Sequence, residues 1–318
     1  MLLVTGSTGN SGRYFFEKLA KEKYKGKIRC IVRHDSQTTI KLSDKRRAFS
    51  KLNLEFIKNS GLEVELVYGN LQDENFLRSS LDGINTVLHI AGIHHSRKII
   101  NLGEEAGVDW FICVHTTGIF SKYPSISEHY QNIEDEVLMK KNVTILRPTM
   151  IYGSSCDRKM SKLIRLISRS KFLPIVGFGN NLFQPVHGSD LANAYWSVLM
   201  SIKSLKGKQY NLPGRNKLAY KDMLYCIARR LERKIYLFYI PYSLCLFFVR
   251  IYTAIHYIYK WNDPFPEKSL IVTVEQVKRM TEDKAFSFQD AHDDFKYSPM
   301  SFEEGINDQI YEYDKKLY

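Results

Sequence analysis

The sequence predicts an α/β fold built on a doubly wound parallel sheet, and three observations carry that prediction. The first twelve residues run from Leu2-Leu3-Val4 straight into a T-G-x-x-G-x-x-G turn that ends at Gly12. Apolar strand-like runs then alternate with helical segments through the first half of the chain, the pattern of parallel βαβ units. With 318 residues, 44% of them hydrophobic, the chain is also long enough to bury a large core and carry a second region.

The opening turn has a specific physical logic. Gly6 permits a tight turn after the strand, Gly9 lets backbone N–H groups approach a pyrophosphate, and Gly12 lets the next helix pack close to the sheet. Ser7, Thr8 and Asn10 fill the turn, and Phe15, Phe16 and Leu19 mark one face of the helix that follows. A pyrophosphate would rest on that helix N-terminus; an ordinary glycine-rich βα turn is the plainer alternative. A second strand, Lys27 to Val32, ends in Arg33, where an acidic residue would favour the ribose hydroxyls of NAD(H). Arginine favours the 2′-phosphate of NADP(H). The pattern continues with a helix over 43–58, a strand over 63–68 running into Gly69-Asn-Leu-Gln-Asp73, a helix over 74–80 and a strand over 86–92. A helix over 96–106, a strand over 110–114, a helix over 134–141 and a strand over 143–146 complete the first half.

Composition narrows the function classes. The net charge of +12 calls for an anionic partner, but only Lys41, Lys45, Arg46, Arg47 and Lys51 form a dense basic run, which suits a solvated helix face better than a nucleic-acid site. The five cysteines at 30, 113, 156, 226 and 245 are odd in number and widely spaced, so neither a disulfide framework nor a metal site is expected. The first strand begins at residue 2, which leaves no room for a targeting peptide, and a cytoplasmic protein is expected.

The ordered motifs carry a resemblance. T-G-S-T-G-N-S-G at 5–12, G-N-L-Q-D at 69–73, A-G at 91–92, T-T-G at 116–118, R-P-T-M-I-Y-G at 147–153 and F-Q-P-V-H-G-S-D-L-A-N-A at 183–194 resemble the NAD(P)-dependent epimerase/dehydratase family of extended short-chain dehydrogenase/reductases. The likeness continues through Gln209 to Pro213, Tyr239 to Tyr242 and Ser301 to Ile306. It implies a Rossmann-like dinucleotide domain over 1–152 and a smaller, mainly substrate-binding region over 153–318, with some segments returning to the first domain. It also implies that Asn70 and Leu71 contact the adenine, that Ala91 and Gly92 form the wall beside ribose and nicotinamide, and that Pro148 and Ile151 lie beside the carboxamide. Asn70 stands where the family has aspartate.

The catalytic machinery departs from that family. Its members pair a serine or threonine with tyrosine and lysine at Y-x-x-x-K spacing, and the lysine lowers the tyrosine pKa. Tyr14/Lys18 and Tyr311/Lys315 have the spacing but fall in the wrong helices, whereas Tyr130, in the expected window, has Glu134 four residues on. Ionising an unassisted tyrosine at neutral pH costs roughly 4 kcal/mol. Help would come from an oxidised nicotinamide or from a histidine, and His94, His95 and His115 follow the ends of expected strands while His89 reads as core. Thr117 is the better placed hydroxyl of the Thr116-Thr117 pair; good turn chemistry is its plainer role.

In the second half, the loop from Gly177 to Gly188 resembles the family segment that closes over substrate, with Gln184 where sugar-nucleotide enzymes place arginine, and with His187 beside it. Arg158 and Lys159 are the nearby cations that would compensate. The aromatic stretch Tyr236 to Trp261 is divided by Pro241, Arg250 and His256, so a membrane-spanning helix is not expected. A helix over 242–260 either packs on the fold or lies against a membrane surface from the cytoplasmic side. The resulting expectation is an NADP(H)-preferring oxidoreductase or epimerase acting on a nucleotide-linked or lipid-linked sugar, with homodimer formation left open. The alternative is a cofactor-binding regulatory or accessory protein without turnover.

Overall fold

The computed structural model describes residues 1–33, 44–157, 159–201, 204–259 and 272–314. Strands β1 (Leu2–Thr5), β2 (Ile28–Val32), β3 (Val64–Tyr68), β4 (Thr86–His89), β5 (Trp110–Val114) and β6 (Val143–Pro148) alternate with helices α1 (Asn10–Lys21), α2 (Asp44–Asn59), α3 (Glu74–Leu81), α4 (Ser96–Glu105) and α5 (Pro124–Leu138). The second half adds β7 (Ile151–Tyr152), α6 (Met160–Arg169), β8 (Phe172–Val176), β9 (Leu182–Phe183), β10 (Val186–His187), α7 (Gly188–Leu199), β11 (Gln209–Leu212) and β12 (Leu218–Ala219). It ends with α8 (Tyr220–Arg230), β13 (Tyr236–Ile240), α9 (Tyr242–Tyr259), α10 (Val274–Arg279), α11 (Gln289–Phe295) and α12 (Phe302–Asp314).

Seven strands pair in the order β11-β6-β5-β4-β1-β2-β3, all parallel. The order reverses between β1 and β4, which opens a crevice at their carboxyl ends, where ligands bind in such sheets. Strands buried on both faces need continuous apolar runs, and β1 and β6 are buried throughout. One sheet face packs Phe15, Phe16 and Leu19 of α1, Ile57 of α2 and Leu191 and Val198 of α7; the other packs Leu77 and Leu81 of α3, Ile99 and Ile100 of α4 and Ile133 and Val137 of α5. A separate core joins Tyr152, Ile164 of α6, Ile175 of β8, Ile227 of α8 and Ile306 of α12.

Three features bear on the sequence expectation. Helix α5 starts at Pro124, not near 134, because a proline at the first helical position is well suited to begin a helix. Three segments beyond residue 152 return to the first domain: β11 extends the main sheet beyond β6, and α7 and α11 pack on the same side as α1. Finally, α9 packs against α10 through only part of its surface, leaving Leu244, Phe247, Phe248, Ile251 and Ile255 exposed. Lys41 and Lys260 of the expected helices lie outside the described residues, and no helix among those described is long and apolar enough to cross a membrane.

The most buried ionic group ties the sheet to its helices. Arg147 of β6 donates Nε–H to Glu134 Oε1 of α5 at 2.6 Å and a second guanidinium hydrogen to the Gln209 side chain of β11. The other carboxylate oxygen lies 2.7 Å from His115 Nδ1, and His115 Nε2 lies 3.0 Å from Ser96 Oγ at the start of α4. Arg147, Glu134, His115 and Ser96 are buried, and Gln209 is exposed. Despite burial, the His115 and Arg147 partners hold the Glu134 carboxyl below its ordinary range. Glu134→Ala leaves Arg147 buried without its counter-ion and is expected to destabilise the fold by about 3–5 kcal/mol in urea unfolding, against a smaller loss for Glu134→Gln. Because the folded-state pKa is depressed, this contribution is complete above the ordinary glutamate range and is lost as pH falls through the folded value. Wild-type stability therefore drops more steeply on acidification than that of Glu134→Gln.

Candidate functional site

The cradle at the carboxyl end of β1 is shaped by a close approach of two backbones. Gly6 has φ +74°, and a Cβ there would stand 2.9 Å from Ala91 N, so both conformation and space require glycine. At Gly12 a Cβ would collide with the Gly6 and Ser7 carbonyls, which is what lets α1 start tight against the strand. Gly9 is different: its backbone, at φ −77° and ψ −179°, suits any residue. Its lack of a side chain keeps the N-terminus of α1 open. That terminus has no side-chain cap and no acidic residue in its first turn, so its N–H groups and the positive end of the helix dipole are available to an anion.

Neighbouring polar groups hold the cradle in place. Asn53 of α2 donates to Thr8 O at 2.9 Å. Thr5 Oγ1 lies 2.7 Å from His89 Nδ1 and accepts the Ala91 N–H at 3.3 Å, while His89 Nε2 lies 2.9 Å from Gly92 O. Fully buried, His89 is pushed down to about 3, so it stays neutral and fixes the Ala91–Gly92 wall. Asn10 Oδ1 in the same loop is buried with no hydrogen-bond partner. An open helix terminus and a space that a Gly9 side chain would invade together fit a dinucleotide diphosphate.

At the adenosine end, Asn70 Oδ1 accepts the Gln72 N–H at 3.0 Å and shapes the turn, and Leu71 is buried in the core. Arg33 is exposed just after β2. His95, after the wall, is shifted down by partial burial and by the nearby charges of His94, Arg33 and Lys98. Lys98 donates to Gln72 O at 2.9 Å. Arg33 and Lys98 thus place two cations beside His95, whose own shift favours the neutral imidazole, and the sequence singled out neither His95 nor Lys98 for cofactor binding.

Of the residues considered for catalysis, Thr117 is buried and donates to Pro148 O at 3.3 Å, joining the segment after β5 to the end of β6. Ile151 lies one turn further on, in β7, half-buried and paired with Val186. Tyr130 packs beside His94, ring centroids 5.3 Å apart, and His94 in turn stacks on His129, with Nδ1 and Nε2 at 3.2 Å. No hydrogen bond or ring contact joins Tyr130 to Thr117 among the described residues. Glu134 does not face Tyr130, being held by His115 and Arg147. His115 belongs to that same network, so its expected part in chemistry is replaced by a structural one.

The two substrate candidates of the second half have partners within the fold, although His187 Nε2 is buried without one. Gln184 is buried, with its amide nitrogen on Gly214 O at 2.7 Å and its oxygen accepting the Phe286 N–H at 2.9 Å. His187 caps α7 through Ser189 and lies between the rings of Tyr14 and Tyr152. What sequence reasoning missed is a strap over 282–286. Glu282 accepts from Ser121 Oγ at 2.9 Å and from Lys122 N at 2.7 Å, and Phe286 meets the ring of Phe120 at 5.4 Å. Lys284 on this strap stands 4.8 Å over the ring of Phe183, and burial with the charges of Lys159 and Arg279 brings it down to about 8. Lys159, Arg279 and Lys284 form a second cationic group; Arg158 lies outside the described residues. Only Lys159 was visible as a candidate, because the other two come near it through the fold alone. No group of three or more metal-ligating side chains occurs among the described residues.

Comparison with known proteins agrees with this geometry. The chain is 24% identical over 266 residues to the uncharacterized protein y4nG of Sinorhizobium fredii, covering 72% of this chain and 60% of that one. It is 25% identical over 214 residues to the mitochondrial NADH dehydrogenase [ubiquinone] 1 alpha subcomplex subunit 9 of Arabidopsis thaliana, covering 66% and 53%. The chain thus spans between half and three-fifths of the length of these relatives. Among solved structures, the UDP-glucuronic acid 4-epimerase of Bacillus cereus, in complex with UDP-glucuronic acid and NAD, superposes with a TM-score of 0.71 at 16% identity, covering 100% and 99% of the two chains. The dTDP-glucose 4,6-dehydratase DesIV of Streptomyces venezuelae, with NAD bound, gives 0.69 at 16%, covering 99% and 97%. These two likenesses show a shared fold. The family model for the NAD dependent epimerase/dehydratase family matches residues 2–108 and 128–212, more than half of the sequence, and the chain belongs to that family.

Proposed function

We propose that this protein binds a nicotinamide dinucleotide along the carboxyl edge of β1 to β6 and with it oxidises or reduces a carbon of a nucleotide-linked or lipid-linked sugar. The observation that carries the reading is the uncapped start of α1 behind Gly9, a glycine that its own backbone does not require. When bound, the nicotinamide supplies hydride acceptance and return. The residues of the chain supply the rest: Gly6, Ser7, Thr8, Gly9, Asn10 and Gly12 seat the diphosphate, Asn70 and Leu71 border the adenine, and Ala91, Gly92, Pro148 and Ile151 bound the reactive end.

Arg33, with Lys98 also beside His95, supports a preference for NADP(H), since a 2′-phosphate adds a charge that these two cations can meet. Thr117 donates a hydrogen bond to the reacting oxygen, exchanging its Pro148 partner for the substrate. Tyr130 carries the proton, with the His94 imidazole in place of the absent lysine. Lys159, Arg279 and Lys284 hold the substrate's phosphate, the task for which Gln184 is unsuited. A second reading, binding without turnover, draws support from the missing lysine and from the respiratory-complex subunit among the relatives.

Gly9→Val keeps an allowed backbone and is expected to abolish dinucleotide binding with native circular dichroism; unchanged affinity in fluorescence titration would make the turn purely structural. Arg33→Ala is expected to cost about 1.5–3 kcal/mol in NADPH binding and little in NADH binding. Equal wild-type affinities for the two cofactors would refute the preference. Tyr130→Phe is expected to remove most turnover while sparing cofactor affinity, and Thr117→Ala to lose about 1–3 kcal/mol of transition-state stabilisation. Cofactor binding with no hydride transfer across a panel of sugar nucleotides and lipid-linked sugars would favour the non-catalytic reading.

A further inference from the structure

Helix α9 is amphipathic in the wrong sense for a helix that only packs on a soluble fold. Its half-buried side chains include Cys245, Val249, Tyr252 and Thr253, whereas Leu244, Phe247, Phe248, Ile251 and Ile255, at spacings of three and four, form one exposed stripe. Phe247 is 56% and Phe248 59% exposed. A run of this length, with two adjacent phenylalanines facing water, is not the scattered surface apolarity that needs no explanation.

The segment leading into α9 has the same character. Strand β13 pairs with β8 in a separate two-stranded sheet, with Phe172 opposite Tyr236 and Pro174 opposite Phe238. All four are exposed, Phe172 by 65%, and the Phe172 and Tyr236 rings stack at 5.5 Å. Phe178 and Tyr239, also exposed, meet at 6.5 Å. Cations surround these aromatic groups. Lys171 precedes Phe172, Arg233 and Lys234 precede Tyr236, and Arg250 lies on α9; none of the four has a carboxylate partner among the described residues. Arg233, Lys234 and Tyr236 also line an open cleft of ≈690 Å³ with Tyr225, Arg229 and Asp222. Asp222 and the exposed Glu232 are the nearby acids, and Arg229 is shared with Glu303 at 3.4 Å.

We propose that this face, α9 with the β8–β13 sheet, docks the protein on the surface of a bilayer containing anionic phospholipid. The occupant follows from the combination: an apolar stripe with aromatic side chains enters the boundary between headgroups and acyl chains, while unpaired Lys171, Arg233, Lys234 and Arg250 meet lipid phosphates. Helix α9 lies along the interface and does not cross it. This docking is independent of the cofactor reading.

The test is flotation of the full chain with phosphatidylcholine vesicles and with vesicles that also contain phosphatidylglycerol, at low and high salt. The protein is expected to float with the anionic vesicles at low salt and to be released by high salt, because screening removes the charge attraction. The double variant Phe247→Glu/Phe248→Glu is expected to lose at least about tenfold in partitioning, and Lys234→Glu/Arg250→Glu to lose its preference for anionic lipid. Both change exposed residues, and unchanged circular dichroism and thermal unfolding of each variant report an intact fold without reference to lipid or cofactor. Absence of flotation at low salt, or equal flotation of the phenylalanine variant, overturns the proposal. So does a wild-type dimer in analytical ultracentrifugation that the phenylalanine variant converts to monomer, since the face then covers a second copy.

Discussion

A carboxylate buried between an arginine and a histidine governs how one edge of this sheet is held. Glu134 is taken out of water, and the cost of doing so is offset only because Arg147 and His115 both reach it. Each partner comes from a different strand and Ser96 extends the chain of contacts to α4, so one charged group fixes α4, β5, α5, β6 and, through Gln209, β11. The segment after β5 carries Thr117 and the end of β6 carries Pro148, and both therefore inherit their positions from this network. A neutral side chain at 134 would satisfy shape without holding these five elements together.

The two ends of the crevice use positive charge differently. At the α1 end, the charge is partial and belongs to the backbone, so it is fixed in direction and needs only that no side chain intervene. At Lys159, Arg279 and Lys284 it is carried by flexible ammonium and guanidinium groups drawn from three separate segments, with Lys284 weakened as an acid-bound cation by its surroundings. The first arrangement is rigid and the second adjustable.

Much of the fold was legible because its signals are local. The Gly6-to-Gly12 turn, the apolar strands and the helical faces of α1 and α4 each depend on a few adjacent residues, and the structure reproduces them with small shifts at the ends. Gln184, His187 and His115 stand at strand ends or in the closing loop, where ligand contacts are common, and the fold gives them partners of its own: Gly214 and Phe286 for Gln184, Ser96 and Glu134 for His115, and Ser189 at Nδ1 of His187, whose Nε2 is left without one. Nothing in the spacing of the chain discloses those long-range partners. Lys284 and Arg279 were invisible by the same token. The exposed face of α9 lay between two readings, since an apolar helix looks alike in sequence whether it faces a core or a lipid surface.

The seventh strand has a consequence for how the molecule comes into being. Because β11 arrives some sixty residues after β6, a ribosome that has released every strand through Pro148 has made a sheet whose β6 edge is still open. Arg147 then has Glu134 but not Gln209, and α1 lacks the cover of α7. The native geometry at the end of β6 thus awaits synthesis of α7 and β11. The two halves are acquired as one unit, and neither can be exchanged between relatives by cutting the chain at the obvious boundary.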